Sequence, residues 1–305
     1  MILCVAPSPA WDLTFHVLRL EEHATNRATA VAGRAGGKAV NVARLLHDLG
    51  EDVRLVLPVG GHTGDEVLLD LDRAGIRHSV VASTAETRRT VTVVSDETGD
   101  ATVVNEAGRL PEWPALLERV GSLVPESAAV VVSGSLPVGA PGDAFAQLVA
   151  EATGRGLPVV VDTSGPALLA ALEARPTLVK PNLDELRAVT GDGDPRTGAA
   201  RLAQESGSAV AVSAGADGIV LAVGAEAWHA SLPHRLHGNP TGAGDAVVAA
   251  FARGLAASSP WTEMLRDAVA LSGAAVLAPY AGEVAVSDHA ELLQQVRVEP
   301  IGVPA

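Results

Sequence analysis

Apolar positions along this chain follow two alternating rhythms. Short β-branched runs, as at 53–59, 128–132 and 158–162, give way to stretches with apolar residues at helical spacing. Val42, Leu45, Leu46 and Leu49 show that spacing within 38–49, which Gly50 then stops. The near-continuous valine run at 128–132 reads as a parallel strand covered on both faces. On this basis strands are predicted at 1–5, 53–59, 128–132, 158–162, 177–180, 209–213 and 218–223. Helices are predicted at 38–49, 65–74, 142–153, 166–173, 183–189 and ahead of Gly207. After Gly242 the pattern becomes helical, at 244–257, 261–277 and 288–296. Such alternation predicts an α/β fold with a mainly parallel sheet.

Two stretches break the rhythm. The first joins 11–17 to 27–32, and the second joins 90–95 to 101–105, with no helix inside either pair. The second carries Asp96-Glu97-Thr98-Gly99-Asp100 between alternating runs, as a longer hairpin loop does. Both predict a small, separate antiparallel sheet built from insertions at about 11–33 and 87–106. Nothing in the composition marks an interdomain linker, so 1–305 reads as one unit.

Composition narrows the classes of function. Hydrophobic residues make up 48% and charged ones 19%, which is globular rather than disordered. The formal net charge of −14 disfavours nucleic acid and anionic membrane as partners, yet leaves room for a small anion held by local cations. The lone Cys4 lies in an apolar strand and reads as packing; one cysteine forms no intrachain disulfide and suits a reducing compartment. The greasy stretch 246–257 is interrupted by Arg253 and is too short to span a bilayer. A soluble, cytoplasmic protein is the expectation. Of 22 basic residues only Lys38 and Lys180 are lysines, and both sit in turns marked by Gly or Pro. A compact ammonium kept twice in an arginine-rich chain marks both as candidate phosphate contacts.

The strongest local signal is Thr241-Gly242-Ala243-Gly244-Asp245 ahead of an apolar helix. Its glycines let the backbone approach a ligand, and the first helical amides make an anion site. Asp245 beside that site suits phosphoryl transfer, with amides holding developing charge and the carboxylate taking a hydroxyl proton. A plain helix cap would look similar. A dinucleotide fingerprint would not, because Val247 stands at its third glycine. Asn182 and Glu185, three apart, either hold Mg²⁺ through its waters or close a capping box. Gly36-Gly37-Lys38 fails as a Walker loop, with Ala32 and Ala39 at two required positions, but still sets Gly37, Lys38 and Asn41 at a helix start. Ser133-Gly134-Ser135 closes a buried strand where ligands meet a sheet's carboxyl edge. Ser213 to Gly218 reads as a tight turn, and His234-Arg235-Leu236-His237 as surface.

Taken in order, these segments resemble the PfkB, or ribokinase-like, family of carbohydrate kinases over essentially the whole chain. They resemble most its 1-phosphofructokinase and tagatose-6-phosphate kinase branch. Ser8-Pro9-Ala10-Trp11-Asp12, Asn26-Arg27, Glu86-Thr87-Arg88, Asn105-Glu106-Ala107-Gly108, Val161-Asp162-Thr163-Ser164-Gly165 and Lys180-Pro181-Asn182 carry that likeness. The resemblance implies a three-layer α/β/α sandwich with a β-sheet lid. It implies Asp245 as catalytic base, with Gly242, Ala243 and Gly244 as anion hole. Asp12, Gly37, Lys38, Asn41 and Ser135 would hold the sugar. Lys180, Asn182, Ser213, Gly215, Ala216, Gly218 and Gly244 would serve ATP, with part of 270–277, and Asn182 and Glu185 its Mg²⁺. Arg27 and Arg88, with Lys38, would clamp a second phosphate on the acceptor.

Fructose 1-phosphate is then the expected acceptor, giving fructose 1,6-bisphosphate. The alternatives are tagatose 6-phosphate, fructose 6-phosphate, a free sugar or a nucleoside, or a non-catalytic regulator that binds sugar or nucleotide. The family also suggests a homodimer through the lid. Ser8 for Asn, Ala39-Val40 for Gly-Ile and Ala246 for Ser depart from the branch's pattern and bear on which sugar fits.

Overall fold

The computed structural model describes residues 1–278 and 280–302. Its first part runs β1 (Ile2–Val5), β2 (Ala10–Val17), β3 (Ala28–Gly36), α1 (Lys38–Asp48), β4 (Val53–Val59), α2 (Gly61–Arg73), β5 (His78–Ala82), β6 (Arg88–Ser95) and β7 (Ala101–Asn105). The middle runs α3 (Trp113–Leu123), β8 (Ala129–Ser133), α4 (Ala144–Thr153), β9 (Val159–Asp162), α5 (Pro166–Glu173), β10 (Leu178–Val179), α6 (Leu183–Thr190) and α7 (Pro195–Ser206). The last part runs β11 (Ala209–Ser213), β12 (Ile219–Val223), β13 (Glu226–Ser231), α8 (Ala243–Ala256), α9 (Trp261–Leu277), α10 (Val286–Gln295) and β14 (Arg297–Pro300).

Ten strands form one sheet in the order β14-β13-β12-β11-β10-β9-β8-β1-β4-β5. The pairs from β11 through β5 are parallel, and the three pairs from β11 out to β14 are antiparallel. Alternation along each strand feeds two cores. Ile2 and Cys4 face one core with α1, α2, α8 and α9, whereas Leu3 and Val5 face the other with α3, α4, α5 and α7. This is the expected α/β/α sandwich, and the valine run of β8 is buried on both faces because helices cover both. From β1 the chain crosses to β4, and from β8 it crosses to β9, so the topology switches direction between β1 and β8. A crevice opens at the carboxyl ends of strands at such a point. None of the helices among the described residues is long and apolar enough to cross a membrane.

The four remaining strands form a second sheet in the order β3-β2-β6-β7. The two insertions do build it, with one correction. β2 pairs with β6 in parallel, so the sheet is mixed rather than antiparallel. Each insertion is an antiparallel unit, and the two units are joined side by side. β3 also runs to Gly36, four residues past its expected end, because it pairs with β2 down to Ala10. That carries the lid sheet directly into Gly37 and α1.

Four elements had no sequence signal. β5, β13 and β14 lie outward in the sheet, and their alternation is interrupted by polar residues. α3 follows a Pro-rich start yet buries Leu116, Val120 and Leu123 at helical spacing. α2 begins at Gly61 rather than Asp65, because its first turn carries no apolar residue to announce it. The Glu86 carboxylate instead accepts from the Thr63 amide there at 2.8 Å.

Candidate active site

Five elements deliver charged groups to one point at the carboxyl edge of the large sheet. Lys38 opens α1, and its Nζ lies 2.9 Å from Asp162 Oδ1 at the end of β9. Glu185 Oε1 lies 4.0 Å from the same ammonium. Lys180 follows β10, and its buried Nζ lies 3.5 Å from Asp162 Oδ1. The parallel register of β9 and β10 sets that pair side by side, since Val161 is partnered by Val179. One turn along α1, Asn41 Nδ2 donates to Asp245 Oδ2 at 2.8 Å. Asp245 sits in the first turn of α8 and is buried.

This crowding sets the protonation of the cluster. Burial pushes the Asp245 carboxyl up to about 7, and the Asp162 charge adds to the rise; the Asn41 bond, Lys38 and Lys180 oppose it. Burial alone would lower Lys38, but Asp162 and Glu185 carry it up to about 12. Asp245 is therefore a carboxylate poised to exchange a proton near neutral pH, beside the Lys38 ammonium, which stays charged.

Gly242 caps α8 with φ +86, a left-handed value that favours glycine. The first amides of α8 have no intrahelical acceptor; of the three expected in the anion hole, that of Ala243 is engaged and donates to Pro240 O at 3.2 Å. A Cβ on Gly244 would stand 3.4 Å from Lys180 Nζ, so that ammonium lies against the helix start. Amides, ammonium and poised carboxylate thus share one surface.

The lid side brings a second set. Gly37, at φ +96, caps α1 and carries the chain from β3 into the helix. A Cβ on Gly36 would fall 1.8 Å from Asp12 Oδ2, so only glycine leaves room for that carboxylate. Asp12 Oδ1 is buried without a hydrogen-bond partner in the protein, and burial raises its carboxyl. Beside it the half-buried Arg88 donates from Nε to Ser8 Oγ at 3.1 Å and from Nη1 to Thr90 Oγ1 at 3.3 Å. Burial lowers the Arg88 guanidinium, opposed by Asp12 and Glu106. Ser135 is exposed just past β8, at the same carboxyl edge.

Arg27 does not join this set. It is exposed one residue before β3, at the end where Ala28 pairs with Val17, while Gly36 pairs with Ala10 at the other end. The three-cation clamp is therefore not assembled within one chain; Lys38 and Arg88 remain.

A cavity of about 410 Å³ lies on the far side of the α8 start, whose Ala243 lines it. Ile219, Leu236, Val269 and Val276 form apolar walls, and His234, Arg235, His237 and Ser272 supply polar atoms. Gly215 and Ala216 line it as expected, as does the 272–276 part of α9. Among the described residues its lining leaves out Lys180, Asn182, Ser213, Gly218 and Gly244. A Cβ on Gly218 would meet Ala230 O at 2.0 Å, so this glycine serves the approach of β13 rather than a ligand. The Ser213 amide donates to Pro181 O at 3.2 Å.

Asn182 and Glu185 form a complete capping box on α6: Asn182 Oδ1 accepts from the Glu185 amide and Glu185 Oε2 from the Asn182 amide, both at 2.8 Å. The capping alternative is thus realised, and it leaves Glu185 Oε1 turned toward Lys38. Asp162 Oδ2 is buried with no partner in the protein. The unpartnered Asp162 Oδ2 and Glu185 Oε1, which faces the Lys38 ammonium, suit a hydrated Mg²⁺ beside phosphates, and the described residues include no cluster that would grip a bare ion.

The model of the pfkB family of carbohydrate kinases matches residues 5–288. The chain belongs to that family. Escherichia coli phosphofructokinase-2, solved in complex with potassium, is 27% identical over 96% of this chain and 98% of that one, with TM-score 0.88. The same enzyme in complex with fructose-6-phosphate is 28% identical over the same shares, with TM-score 0.85. A Thermotoga maritima protein described as a possible 1-phosphofructokinase is 23% identical over 99% of each chain, with TM-score 0.88, and so shares the fold. As a pfkB kinase, the protein is an ATP-dependent sugar kinase.

Sequence reasoning passed over two parts of this site. In the sequence Asp162 stands only within a resembling block, although a carboxylate closing an all-valine strand is a signal in itself. The His234–His237 segment reads as surface by composition and is exposed apart from the half-buried Leu236, yet it also walls the cavity.

Proposed function

We propose that this pfkB kinase transfers the γ-phosphoryl group of ATP to a ketohexose phosphate, with fructose 1-phosphate as acceptor and fructose 1,6-bisphosphate as product. The observation that carries the reading is the buried, poised Asp245 at the start of α8, hydrogen-bonded to Asn41 and flanked by Lys38 and Lys180. Asp245 takes the proton of the acceptor hydroxyl as its oxygen bonds to the γ-phosphorus and the bond to the ADP oxygen breaks. The amides of Gly242 and Gly244, with Lys180, hold the charge that gathers on the phosphoryl oxygens. Mg²⁺, when bound, neutralises the phosphates of ATP; Glu185 Oε1 and Asp162 Oδ2 would accept from its waters. The cavity from Gly215 to Val276 takes the adenosine. Asp12, at the lid, accepts from sugar hydroxyls.

Arg88 supports a phosphosugar over a free sugar. Its guanidinium is half-buried in the crevice and held by Ser8 and Thr90, with hydrogens left for an anion. Fructose 6-phosphate is the second reading, because a relative of 28% identity was solved with that ligand. Exposed Val31, Val103 and Val104 on the outer strands of the lid support a lid-to-lid homodimer. A buried, unpaired Cys4 fits the cytoplasm.

An ADP-release assay with Mg·ATP and fructose 1-phosphate, fructose 6-phosphate, tagatose 6-phosphate, fructose and ribose tests the reading. Preference for a phosphosugar is expected. Turnover with free sugars alone would leave Arg88 without its role and overturn the substrate class.

A further inference from the structure

Arg34 belongs to the lid strand β3, directly across from Asp12 in β2. Its side chain leaves the lid and reaches the segment that follows α9. Arg34 Nη1 donates to Ala281 O at 3.0 Å and lies 3.1 Å from Glu283 Oε1. The guanidinium carbon stands 5.9 Å from the centre of the Tyr280 ring. One lid residue thus holds Tyr280, Ala281 and Glu283, the contact to Ala281 spanning 247 positions of sequence.

That segment touches the reaction centre on its other side. A Cβ on Gly242 would stand 3.0 Å from both Ala281 Cα and Gly282 N. A Cβ on Gly282 would stand 3.1 Å from Asn41 Oδ1 and 3.2 Å from Asn41 Cα. Asn41 is the residue that holds Asp245. Residues 281–282 are therefore a wedge between the anion-hole cap and the residue that orients the base, and the lid grips that wedge through Arg34.

We propose that Arg34 is a positioning residue that ties the lid to the anion hole, so that the lid's position on the acceptor sets the placement of Gly242 and Asn41. Arg34 touches no reacting group in this account. It acts through a packed contact that leaves no room for a side chain at Gly242, so that a shift of the wedge bears on Gly242. Neighbouring charges give it a defined stance: Glu283 and Asp70 attract it and Arg44 repels it. Coupling between two sites carried this way must be reciprocal: acceptor on the lid side tightens nucleotide on the α8 side.

The proposal rests on the kinase reading above, so its test has one arm free of substrate. In that arm, backbone hydrogen exchange is followed in the ligand-free wild type and in Arg34→Ala. Exchange should quicken about tenfold at 280–283 and also at Gly242–Gly244. Faster exchange at 280–283 alone, or at neither, overturns the tether. The second arm measures binding of a non-hydrolysable ATP analogue with Mg²⁺, with and without whichever panel acceptor turns over. Acceptor should tighten the analogue at least fivefold in wild type, and not at all in Arg34→Ala, with each ligand alone bound within twofold of wild type. Arg34→Lys, which keeps one donor on Ala281 O, should recover part of the effect. Full coupling in Arg34→Ala, or none in wild type, overturns the proposal. If no acceptor turns over, the substrate reading fails by itself, and the exchange arm still decides on the tether.

Discussion

The two halves of this active site are built on opposite plans. The phosphoryl-transfer half is a knot of buried charge: Asp162 and Lys180 are nearly inaccessible and Asp245 is covered. Each group there comes from the end of a core strand or the start of a core helix. The half proposed for the nucleotide is an open cavity, walled by one turn, one long connection and one face of α9. Chemistry that depends on a carboxylate's proton affinity needs groups held in fixed, desolvated positions. A nucleoside needs shape and apolar contact, which loops supply without burying charge. The difference teaches that substitutions in the first half should change turnover and stability together, whereas those in the second should change affinity alone.

Replacing Asp245 gives the largest effect. Asp245→Asn should lower kcat by roughly 10²–10⁴ in steady-state assays while ATP-analogue binding stays within a few fold. It should also stabilise the fold, because a carboxyl raised above its unfolded value of 3.8 costs stability once ionised. That gain is absent below the unfolded value, grows with rising pH, and is complete above about 7. Thermal melts from pH 4 to 8 would show it, and an unchanged melting profile would break the claim that this half is strained by its own charge.

Asp162→Ala comes next. It strands Lys180, and partly Lys38, and should cost about 3–5 kcal/mol in urea unfolding, as breaking a buried pair does. An effect below about 1 kcal/mol would mean that the knot is solvated rather than buried. Arg88→Ala should then raise KM for the phosphosugar by roughly 10- to 150-fold, the range for losing a charged hydrogen bond, with KM for ATP unchanged. A smaller, purely local effect is expected across the cavity. Ala216→Trp, on the exposed turn of residues 215–217, should raise KM for ATP by roughly tenfold with kcat kept. Should kcat fall as much as affinity, the two halves would not be separable.

How legible each half was in sequence follows from the same contrast. Gly242 to Asp245 stood out because an anion-binding turn needs glycine, although a plain helix cap would carry the same acidic first turn. Lys38 and Lys180 stood out as the two lysines of an arginine-rich chain. Asp162 did not, because its role exists only once β10 is laid beside β9 in register. Arg34 was silent for the same reason, since its partners lie almost the whole chain away. The cavity walls at His234–His237 carry no pattern of spacing, as a connection shaped by what it packs against carries none. Periodicity found the buried layers of the fold and missed the outer strands, whose alternation is mixed with polar residues. The lid's two units were visible as interruptions, yet their parallel junction at β2 and β6 depends on pairing between distant segments that no local rule fixes. Arg27 shows the converse: a motif placed it on the lid correctly, and only the strand register shows it at the end away from Asp12.

The central claim is that buried Asp245 is the base, and the pH dependence of kcat/KM in wild type beside Asp245→Asn tests it most directly. Substrate ionisations are common to both proteins, so the difference belongs to the enzyme. The account predicts a wild-type profile that falls on the acid side with a midpoint near 7, the value to which burial raises this carboxyl, and a residual variant activity without that limb. An acid limb that persists unchanged in the variant would contradict it.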